Sequence, residues 1–491
     1  AFLEPESGLG FPSPDGGVTL KLGTQCAFDD RAQLARILAL PEDKVRVVQL
    51  PVGGAFGGKQ DILIYQYLAL GAILSQRPTK ITLTREESLR THVKRHPAQI
   101  HMRLGADSSG RLLALQAGIT LDAGAYASLT TDVLENALVF GGGPYHIPNV
   151  DLEGWAWYTN TVPSGAMRGF GANQVAFALE CTLDEIARRL EIDPFDIREL
   201  DALDVGLPTV AGHILEEGVV GIKPTIVAAR EELGRLVVPA ASDGRKIGIG
   251  VACGVKNIGF GHGLSESAGA IAELHPSGRV AIRMSQHEYG QGAMVGLARL
   301  ASRELGIPIH RISVLGPDTA ETPPTGPTTA SRQTFLSGNA VLEACTELKA
   351  IVFGHAAEEL DAPPSRVVFR GDELVDRDSG RSIRISDVGS GVVVERRYEA
   401  DDTTPLPEPR GRRPDPEPPG SQPTHWGYAY ATQAAVVEVD EATGRVRVLK
   451  VISAHDLGHV ISQGAAEGQV QSGVMQGLGY ALSEQFQVEQ G

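Results

Sequence analysis

A ten-residue stretch with four glycines, residues 52–61 (VGGAFGGKQD), most constrains the fold of this chain. It follows an apolar segment, residues 45–52, that predicts a strand. It precedes residues 61–77, whose apolar spacing predicts a helix capped by Asp61. Because glycines accept positive φ angles, the loop can turn its N–H groups towards a bound group beside a helix N-terminus. The stretch is therefore a candidate site for an anion or an oxo group.

Two other interpretations of this loop remain open from spacing alone. The segment from Gly53 to Lys59 nearly matches the phosphate-binding loop of NTPases, but Gln60 stands where the pattern requires a magnesium-binding hydroxyl. A second acidic strand motif for the metal is also lacking, so an NTPase is the weaker alternative. A purely structural turn would explain the glycines equally well.

Composition limits the classes of protein that need to be considered. A chain of 491 residues exceeds one core and predicts two or three domains. The net charge of −16 disfavours nucleic acid as a partner, because phosphate binding requires clustered Lys and Arg. Apolar runs are too short for a membrane span and a signal pattern is lacking, so we expect a cytoplasmic protein without a membrane partner. No C-x-x-C pair occurs among the four cysteines, so we expect any iron–sulfur cluster on another chain.

The chain alternates predicted helices with hairpins whose turns lie near residues 107–110, 274–283 and 439–450. This mixture predicts an α+β fold of two mixed α/β-layer domains that meet at a cleft. We expect the first domain at residues 1–235, a linker at 236–245 and the second domain at 246–491. The proline-rich segment 401–424 predicts a flexible surface loop.

Five further motifs follow the glycine-rich loop in a fixed order. They are AMRGFGANQ (166–174), QHEYGQG (286–292), GPTTASRQT (326–334), AHDLGHVI (454–461) and EGQVQSGVMQGLG (467–479). Together they resemble the large, molybdopterin-binding subunit of the xanthine dehydrogenase and aldehyde oxidase family of molybdenum hydroxylases. The resemblance extends over nearly the whole chain, and it implies that the cleft between the domains binds molybdopterin.

The resemblance implies a set of site residues, although each could also be a turn or core residue. Arg168 matches a position at the metal site, and Phe170 matches a residue that stacks on the substrate ring. The substrate pocket comprises Gln60, Asn136, Phe170 and Phe260. The cofactor-binding residues are Gly54, Phe56, Gly57, Arg168, Gly290, Gln291, Ala330, Ser331, Gln333, Thr334 and Gln469.

A metal held by protein ligands is not expected. His455 and His459 are four residues apart, but their segment follows a predicted strand, whereas this spacing pairs ligands only on a helix. In the family, the pterin dithiolene supplies the molybdenum ligands. The protein then contributes only hydrogen bonds around the metal.

The sequence departs from purine-oxidising members of the family at two positions. Gln60 replaces a glutamate after the first loop, and Asn136 replaces an arginine ahead of the YHIPN segment. Without these two charges, an aldehyde or a neutral N-heterocycle is favoured over xanthine. The family's general-base glutamate also lies beyond residue 491, so we expect either part of a longer polypeptide or a protein that is inactive by itself.

The resemblance implies hydroxylation with oxygen derived from water. Electrons would leave through the pterin, of which a cytosine dinucleotide form is one option, towards 2Fe-2S clusters and FAD on partner subunits or missing segments. We expect a dimer of heterotrimers acting on a small-molecule substrate. A non-catalytic cofactor-binding or assembly protein remains an alternative.

Overall fold

The computed structural model of the protein describes residues 2–238, 241, 244–388, 391–405 and 423–488. The helices are α1 (Ala27–Leu38), α2 (Tyr65–Ser75), α3 (Arg85–Thr91), α4 (Thr130–Val139), α5 (Ala172–Leu190), α6 (Pro194–Leu200), α7 (Ile222–Arg235), α8 (Ala293–Leu305), α9 (Gln333–Leu360), α10 (Ile385–Val388) and α11 (Gln463–Leu482). The strands are β1 (Ser7–Pro12), β2 (Val18–Leu22), β3 (Val45–Gln49), β4 (Thr79–Thr82), β5 (Ala98–Ala106), β6 (Leu112–Gly124), β7 (Asn149–Tyr158), β8 (Arg245–Ile258), β9 (Ser267–Leu274), β10 (Val280–Arg283), β11 (Ile312–Leu315), β12 (Val367–Arg370), β13 (Glu373–Asp376), β14 (Ser382–Arg384), β15 (Val393–Glu399), β16 (Gly427–Asp440) and β17 (Val446–Asp456).

These elements form two compact units, each built from two segments of the chain. The first unit comprises Ala1–His92 and Ser265–Asp401, and the second comprises Val93–Leu264 and Asp402–Gly491. The expected linear domains do not coincide with these units, because β8, directly after the expected linker, pairs with β16 and shares a core with α5 and α7. Most of the expected proline-rich loop, residues 406–422, lies outside the described residues.

The first unit carries two four-stranded mixed sheets, ordered β3-β2-β1-β4 and β11-β10-β9-β15, and a small sheet β12-β13-β14. Helices α1 and α2 pack on the first sheet, and α8 and α9 cover the second. Close approach of α2 requires glycine in β1. A Cβ at Gly8 would lie 2.7 Å from the Leu68 side chain, and one at Gly10 would lie 2.7 Å from the Leu68 carbonyl oxygen.

The second unit contains the sheets β5-β6-β7 and β17-β16-β8. Helix α4 packs on β6 and β7, and α7 packs on β16 and β17. The three predicted hairpins are confirmed as the antiparallel pairs β5/β6, β9/β10 and β16/β17, and the predicted α+β fold is confirmed with them. In the described part of the chain, no helix is long and apolar enough to cross a membrane.

A buried ion pair lies in the core of the second unit. Arg198 is fully buried, and its Nε lies 2.7 Å from Glu180 Oε2. The same carboxylate accepts hydrogen bonds from the Tyr145 hydroxyl at 2.7 Å and from the Cys253 N–H at 3.0 Å. This network ties α5 to α6 and to β8.

We expect the substitution Arg198→Met to lower the free energy of unfolding by about 3–5 kcal/mol, because it leaves the Glu180 carboxylate buried without its counter-ion. Urea unfolding followed by circular dichroism measures this change. The matched control is Arg188→Met, since Arg188 forms an exposed pair with Glu185, both on α5. The control should cost less than about 1 kcal/mol. Equal losses in the two variants would contradict the prediction.

Candidate functional site

The glycine-rich loop connects β3 to α2 in the first unit. The predicted positive φ angles are confirmed at Gly54 (99°) and Gly57 (103°), and Phe56 between them also has a positive φ of 55°. The predicted helix start is wrong, because α2 begins at Tyr65 and Asp61 does not cap it. Residues 59–64 instead remain in turns and bends, where the loop packs against the N-terminal segment of the chain.

The lysine of this loop is neutralised within the protein. Lys59 is 3% exposed, and its Nζ lies 2.8 Å from Glu4 Oε2 and 4.8 Å from the centre of the Phe2 ring. The same carboxylate oxygen accepts the N–H of Gly53 at 2.6 Å. A phosphate-binding lysine must face its ligand, so this arrangement speaks against the NTPase alternative.

One side chain joins the glycine-rich loop to the segment around residue 328. Gln25 Oε1 accepts the N–H groups of Gly57 at 3.1 Å and Lys59 at 3.3 Å, and its Nε2 donates to the Thr328 carbonyl at 3.1 Å. Two backbone bonds, Gln25 N–H to Lys59 O and Thr328 N–H to Gln25 O, add to these. Gln25 is 1% exposed. Sequence analysis missed this residue because it belongs to no motif.

His287 supports the same junction from a third segment. Its Nε2 accepts the N–H of Ala27 at 3.0 Å, and its Nδ1 lies 3.1 Å from Thr328 Oγ1. Burial lowers the pKa of His287 to about 3. The ring is therefore neutral and carries its proton on Nδ1, because Nε2 acts as the acceptor.

Two groups of backbone donors lie beside the bonds made by Gln25. Within the described residues, the N–H groups of residues 54–56 and 329–331 have no acceptor in the protein. Ala330 and Ser331 have φ angles of 48° and 51°, a conformation that costs non-glycine residues free energy and clusters at ligand sites. Consecutive free N–H groups form a concave anion site. These residues therefore fit a ligand that presents oxygen acceptors, such as an oxo group or a phosphate.

Three of the expected cofactor contacts are engaged within their own loops. Gln291 Oε1 accepts the N–H of Tyr289 at 2.8 Å, and its Nε2 donates to the His287 carbonyl at 2.8 Å. The N–H of Gly290 donates to Glu288 Oε1 at 2.9 Å. Gln333 is 5% exposed, and its Nε2 donates to the carbonyls of residues 325–327. In the protein these groups shape the loops, and their direct contact with a cofactor stays a prediction.

Two charged residues that shape these loops were missed in the sequence. The Glu288 carboxylate accepts the N–H groups of Gly290, Gly292 and Met294 and so caps α8. Arg332 is 2% exposed, pairs with Glu266, and donates to the carbonyls of residues 325 and 327. Thr334 and Ser331, by contrast, are exposed. Both residues lie inside quoted motifs, Glu288 in QHEYGQG and Arg332 in GPTTASRQT, but their residue types were not recognised as loop-shaping.

In the second unit, Arg168 meets the other motif expected at the cofactor. Its guanidinium donates to the Gln469 carbonyl at 2.9 Å, to Ser472 Oγ at 3.1 Å and to Gln476 Oε1 at 3.3 Å. Arg95 supports this contact by donating to the Arg168 carbonyl at 2.7 Å. Arg168 and Gln469 are thus brought together, and the arginine fixes the position of α11.

Three of the four expected substrate-pocket residues lie in the second unit. Phe170, with a φ of 49°, packs against the core cluster that contains Phe140. Phe260 lies in a glycine-flanked turn after β8. Asn136 lies on α4, and its Oδ1 accepts a hydrogen bond from Lys256 Nζ at 2.8 Å. Sequence analysis overlooked this lysine beside Asn136, and the role of Asn136 in a substrate pocket stays a prediction.

Gln60 belongs to the first unit. Its side-chain oxygen is buried and has no hydrogen-bond partner among the described residues. The expected role of Gln60 in substrate binding stays a prediction. Across the described ranges, no group of three or more His, Cys, Asp or Glu side chains could hold a metal ion.

Comparison with known proteins identifies the class to which this fold belongs. Residues 1–201 and residues 230–491 each match a family model described as a molybdopterin cofactor-binding domain. The chain is 34% identical over its whole length to a probable xanthine dehydrogenase subunit of Bacillus subtilis, of which it covers 64%. It is 40% identical over 231 residues to the nicotinate dehydrogenase large molybdopterin subunit of Eubacterium barkeri, covering 47% of this chain and 54% of that relative.

A solved structure extends the comparison to three dimensions. The aldehyde oxidoreductase of Desulfovibrio desulfuricans superposes with a TM-score of 0.85 at 26% identity, covering 99% of this chain and 50% of that one. The chain belongs to the xanthine dehydrogenase and aldehyde oxidase family of molybdenum hydroxylases, as its motifs predicted. It spans about half to two thirds of the length of these relatives.

We expect Gln25→Ala to speed amide hydrogen exchange in residues 57–60 and at Thr328, because the substitution removes the acceptor and the donor that join these segments. The loss of one hydrogen bond, about 1 kcal/mol, corresponds to roughly fivefold faster exchange. Mass spectrometry after deuterium labelling measures the change. Gln76→Ala, at the exposed end of α2, serves as the control and should leave both segments unchanged.

Acid should weaken the fold through His287. The unfolded chain binds a proton on this residue below about pH 6.5, whereas the folded chain excludes it down to about pH 3, so the free energy of unfolding falls as the pH falls across this range. One such histidine contributes a slope of up to about 1.4 kcal/mol per pH unit. Urea unfolding between pH 7 and pH 4 should give a shallower slope for His287→Gln than for the wild type. The exposed His101 provides the control substitution His101→Gln, which should retain the wild-type slope.

Proposed function

We propose that the chain is the molybdopterin-binding part of an oxidoreductase that hydroxylates an aldehyde or an N-heterocycle with oxygen derived from water. The observation that carries the proposal is the two sets of N–H groups without an acceptor among the described residues, 54–56 and 329–331, in the two segments that Gln25 joins. The cofactor, when bound, supplies the oxygen-transfer and electron-accepting chemistry. The chain supplies the oriented donors, which need no reorganisation when the ligand arrives.

In this proposal the two groups of donors have different roles. Residues 54–56 would donate to an oxo group of the cofactor, since their loop contains the buried Ala55 and packs against the N-terminal segment. Residues 329–331 precede α9, whose N-terminus has no side-chain cap, and this end favours the phosphate. Gln291 and Gln333 complete this part of the site by shaping the loops, and the exposed Thr334 would contact the cofactor directly. Arg168 keeps Gln469 in place on α11.

For the substrate, we propose that Phe170 and Phe260 of the second unit stack on the ring, with Asn136 of the same unit at its edge. Stacking on aromatic faces favours planar, electron-poor rings. The names of the relatives include xanthine, nicotinate and aldehyde enzymes, so the family accommodates several substrates on one fold.

We further propose that the electrons leave towards 2Fe-2S and FAD groups on partner subunits or on further segments of the polypeptide. In the described residues, Cys26, Cys253 and Cys345 are buried free thiols on separate elements, and Cys181 is exposed. This arrangement is compatible with a cluster-free chain in a cytoplasmic dimer of heterotrimers. The cytosine dinucleotide form of the pterin remains one option.

The cofactor part of the proposal is tested by metal analysis of the holoenzyme expressed with its partners. We expect about one molybdenum per chain, and a loss of several-fold in Gly54→Ala. An alanine at position 54 has to adopt a φ of 99°, and its Cβ would lie 3.1 Å from the Phe56 ring. The control Gly16→Ala carries a similar strain, at a φ of 84°, in open space with nothing within 4 Å. Zinc or magnesium with bound nucleotide, and no molybdenum, would refute the proposal.

A further inference from the structure

Lys256, on β8 of the second unit, is a basic residue among neutral groups. Its Nζ donates to Asn136 Oδ1 at 2.8 Å and also to Asn257 Oδ1. It lies 4.7 Å from the centre of the Phe140 ring, which adds a cation–π contact. Amide oxygens and an aromatic face stabilise an ammonium group but do not neutralise it.

The fully buried cations among the described residues have a carboxylate partner. Arg198 pairs with Glu180 at 2.7 Å, and Lys59 pairs with Glu4 at 2.8 Å. Among the residues that the structure describes, no carboxylate lies within ion-pair distance of Lys256 Nζ. A buried charge without a counter-ion is costly. Lys256 is therefore an exception to the way this chain stabilises its buried cations.

The groups around Lys256 also lack negative charge. His262 and His425 lie with their ring centres 4.5 Å apart, and burial together with Lys256 lowers their pKa values to about 4 and about 2. Both rings are neutral at pH 7. Burial likewise lowers the pKa of Lys256 to about 7, the direction expected for an ammonium group without a counter-ion.

Lys256 and Asn136 are less completely buried than the groups around them. Asn257 and His425 are buried, at 3% and 0% exposure, whereas Lys256 and Asn136 both keep part of their surface exposed. The Asn136 Nδ2 is also nearly free, because its bond to the Asp132 carbonyl is 3.5 Å long. An ammonium and an amide N–H next to an aromatic cluster are suited to an anion that is attached to a ring.

We propose that Lys256 and Asn136 bind a carboxylate group of the substrate, so that the substrate class is an aromatic or heteroaromatic acid. The carboxylate accepts hydrogen bonds from Lys256 Nζ and Asn136 Nδ2. Its ring lies along the cluster that includes Phe140 and Phe170. This assignment rests on the proposed function, because it places the carboxylate on the molecule that is hydroxylated. It replaces the neutral pocket expected from the sequence.

The test compares benzoate with its neutral analogue benzamide in calorimetric titrations of the full-length holoenzyme. A hydrogen bond to a charged group predicts that benzoate binds about 10- to 100-fold more tightly. Lys256→Met should remove this preference. The control Lys246→Met should retain it, because Lys246 is an exposed residue of the same strand and pairs with Glu441. Equal affinities of the wild type for benzoate and benzamide would overturn the proposal.

A second variant tests the site while Lys256 is kept. Asn136→Asp places a carboxylate at the position that contacts Nζ, and this internal counter-ion should abolish the benzoate preference as completely as Lys256→Met. A preference unchanged in Asn136→Asp would overturn the proposal even if Lys256→Met failed to fold.

Oxidation of neutral benzaldehyde by the same holoenzyme separates the two levels of the argument. Turnover of benzaldehyde without any dependence of benzoate binding on Lys256 would refute the carboxylate site and leave the proposed function standing. Benzoate binding that depends on Lys256 in a protein without molybdenum would support the anion site and refute the proposed function.

Discussion

The hydrogen bonds of Gln25 are the constraint on which the candidate cofactor site depends. One buried amide accepts two N–H groups of the glycine-rich loop and donates to the segment around Thr328. By occupying Gly57 and Lys59, it leaves the preceding N–H groups, at residues 54–56, without an internal partner. The same side chain thus determines which donors belong to the fold and which are available to a ligand.

Most buried charged side chains in the described residues have a counter-ion and stabilise the fold, whereas Lys256 has none. Glu4 neutralises Lys59, Glu180 neutralises Arg198, and each pair fixes a loop or a core. Glu288 performs a similar task for a helix end, where its carboxylate accepts three backbone N–H groups. Lys256 has only neutral neighbours among the described residues. A charge that the fold leaves without a counter-ion is the place where a charged substrate gains most.

Local patterns predicted a large part of this protein. The three hairpins follow from turns flanked by alternating apolar residues, and the positive φ angles at Gly54 and Gly57 follow from the absence of a Cβ. The motif order identified the family because each motif is a short run of residue types. The start of α2 was misplaced by four residues, since helix boundaries are the part of an element that local patterns locate least well.

The sequence by itself determined the elements, the glycine-rich loop and the family, because each depends on residues that are close in the chain. Only the tertiary structure decided which side chains support the site. Gln25 and Thr328 are 303 positions apart, and Asn136 and Lys256 are 120 apart. Two compact units built from interleaved segments bring such residues together, and no local pattern records a contact of that range. A hydrogen bond depends on distance in space, which the fold sets and the spacing in the chain does not.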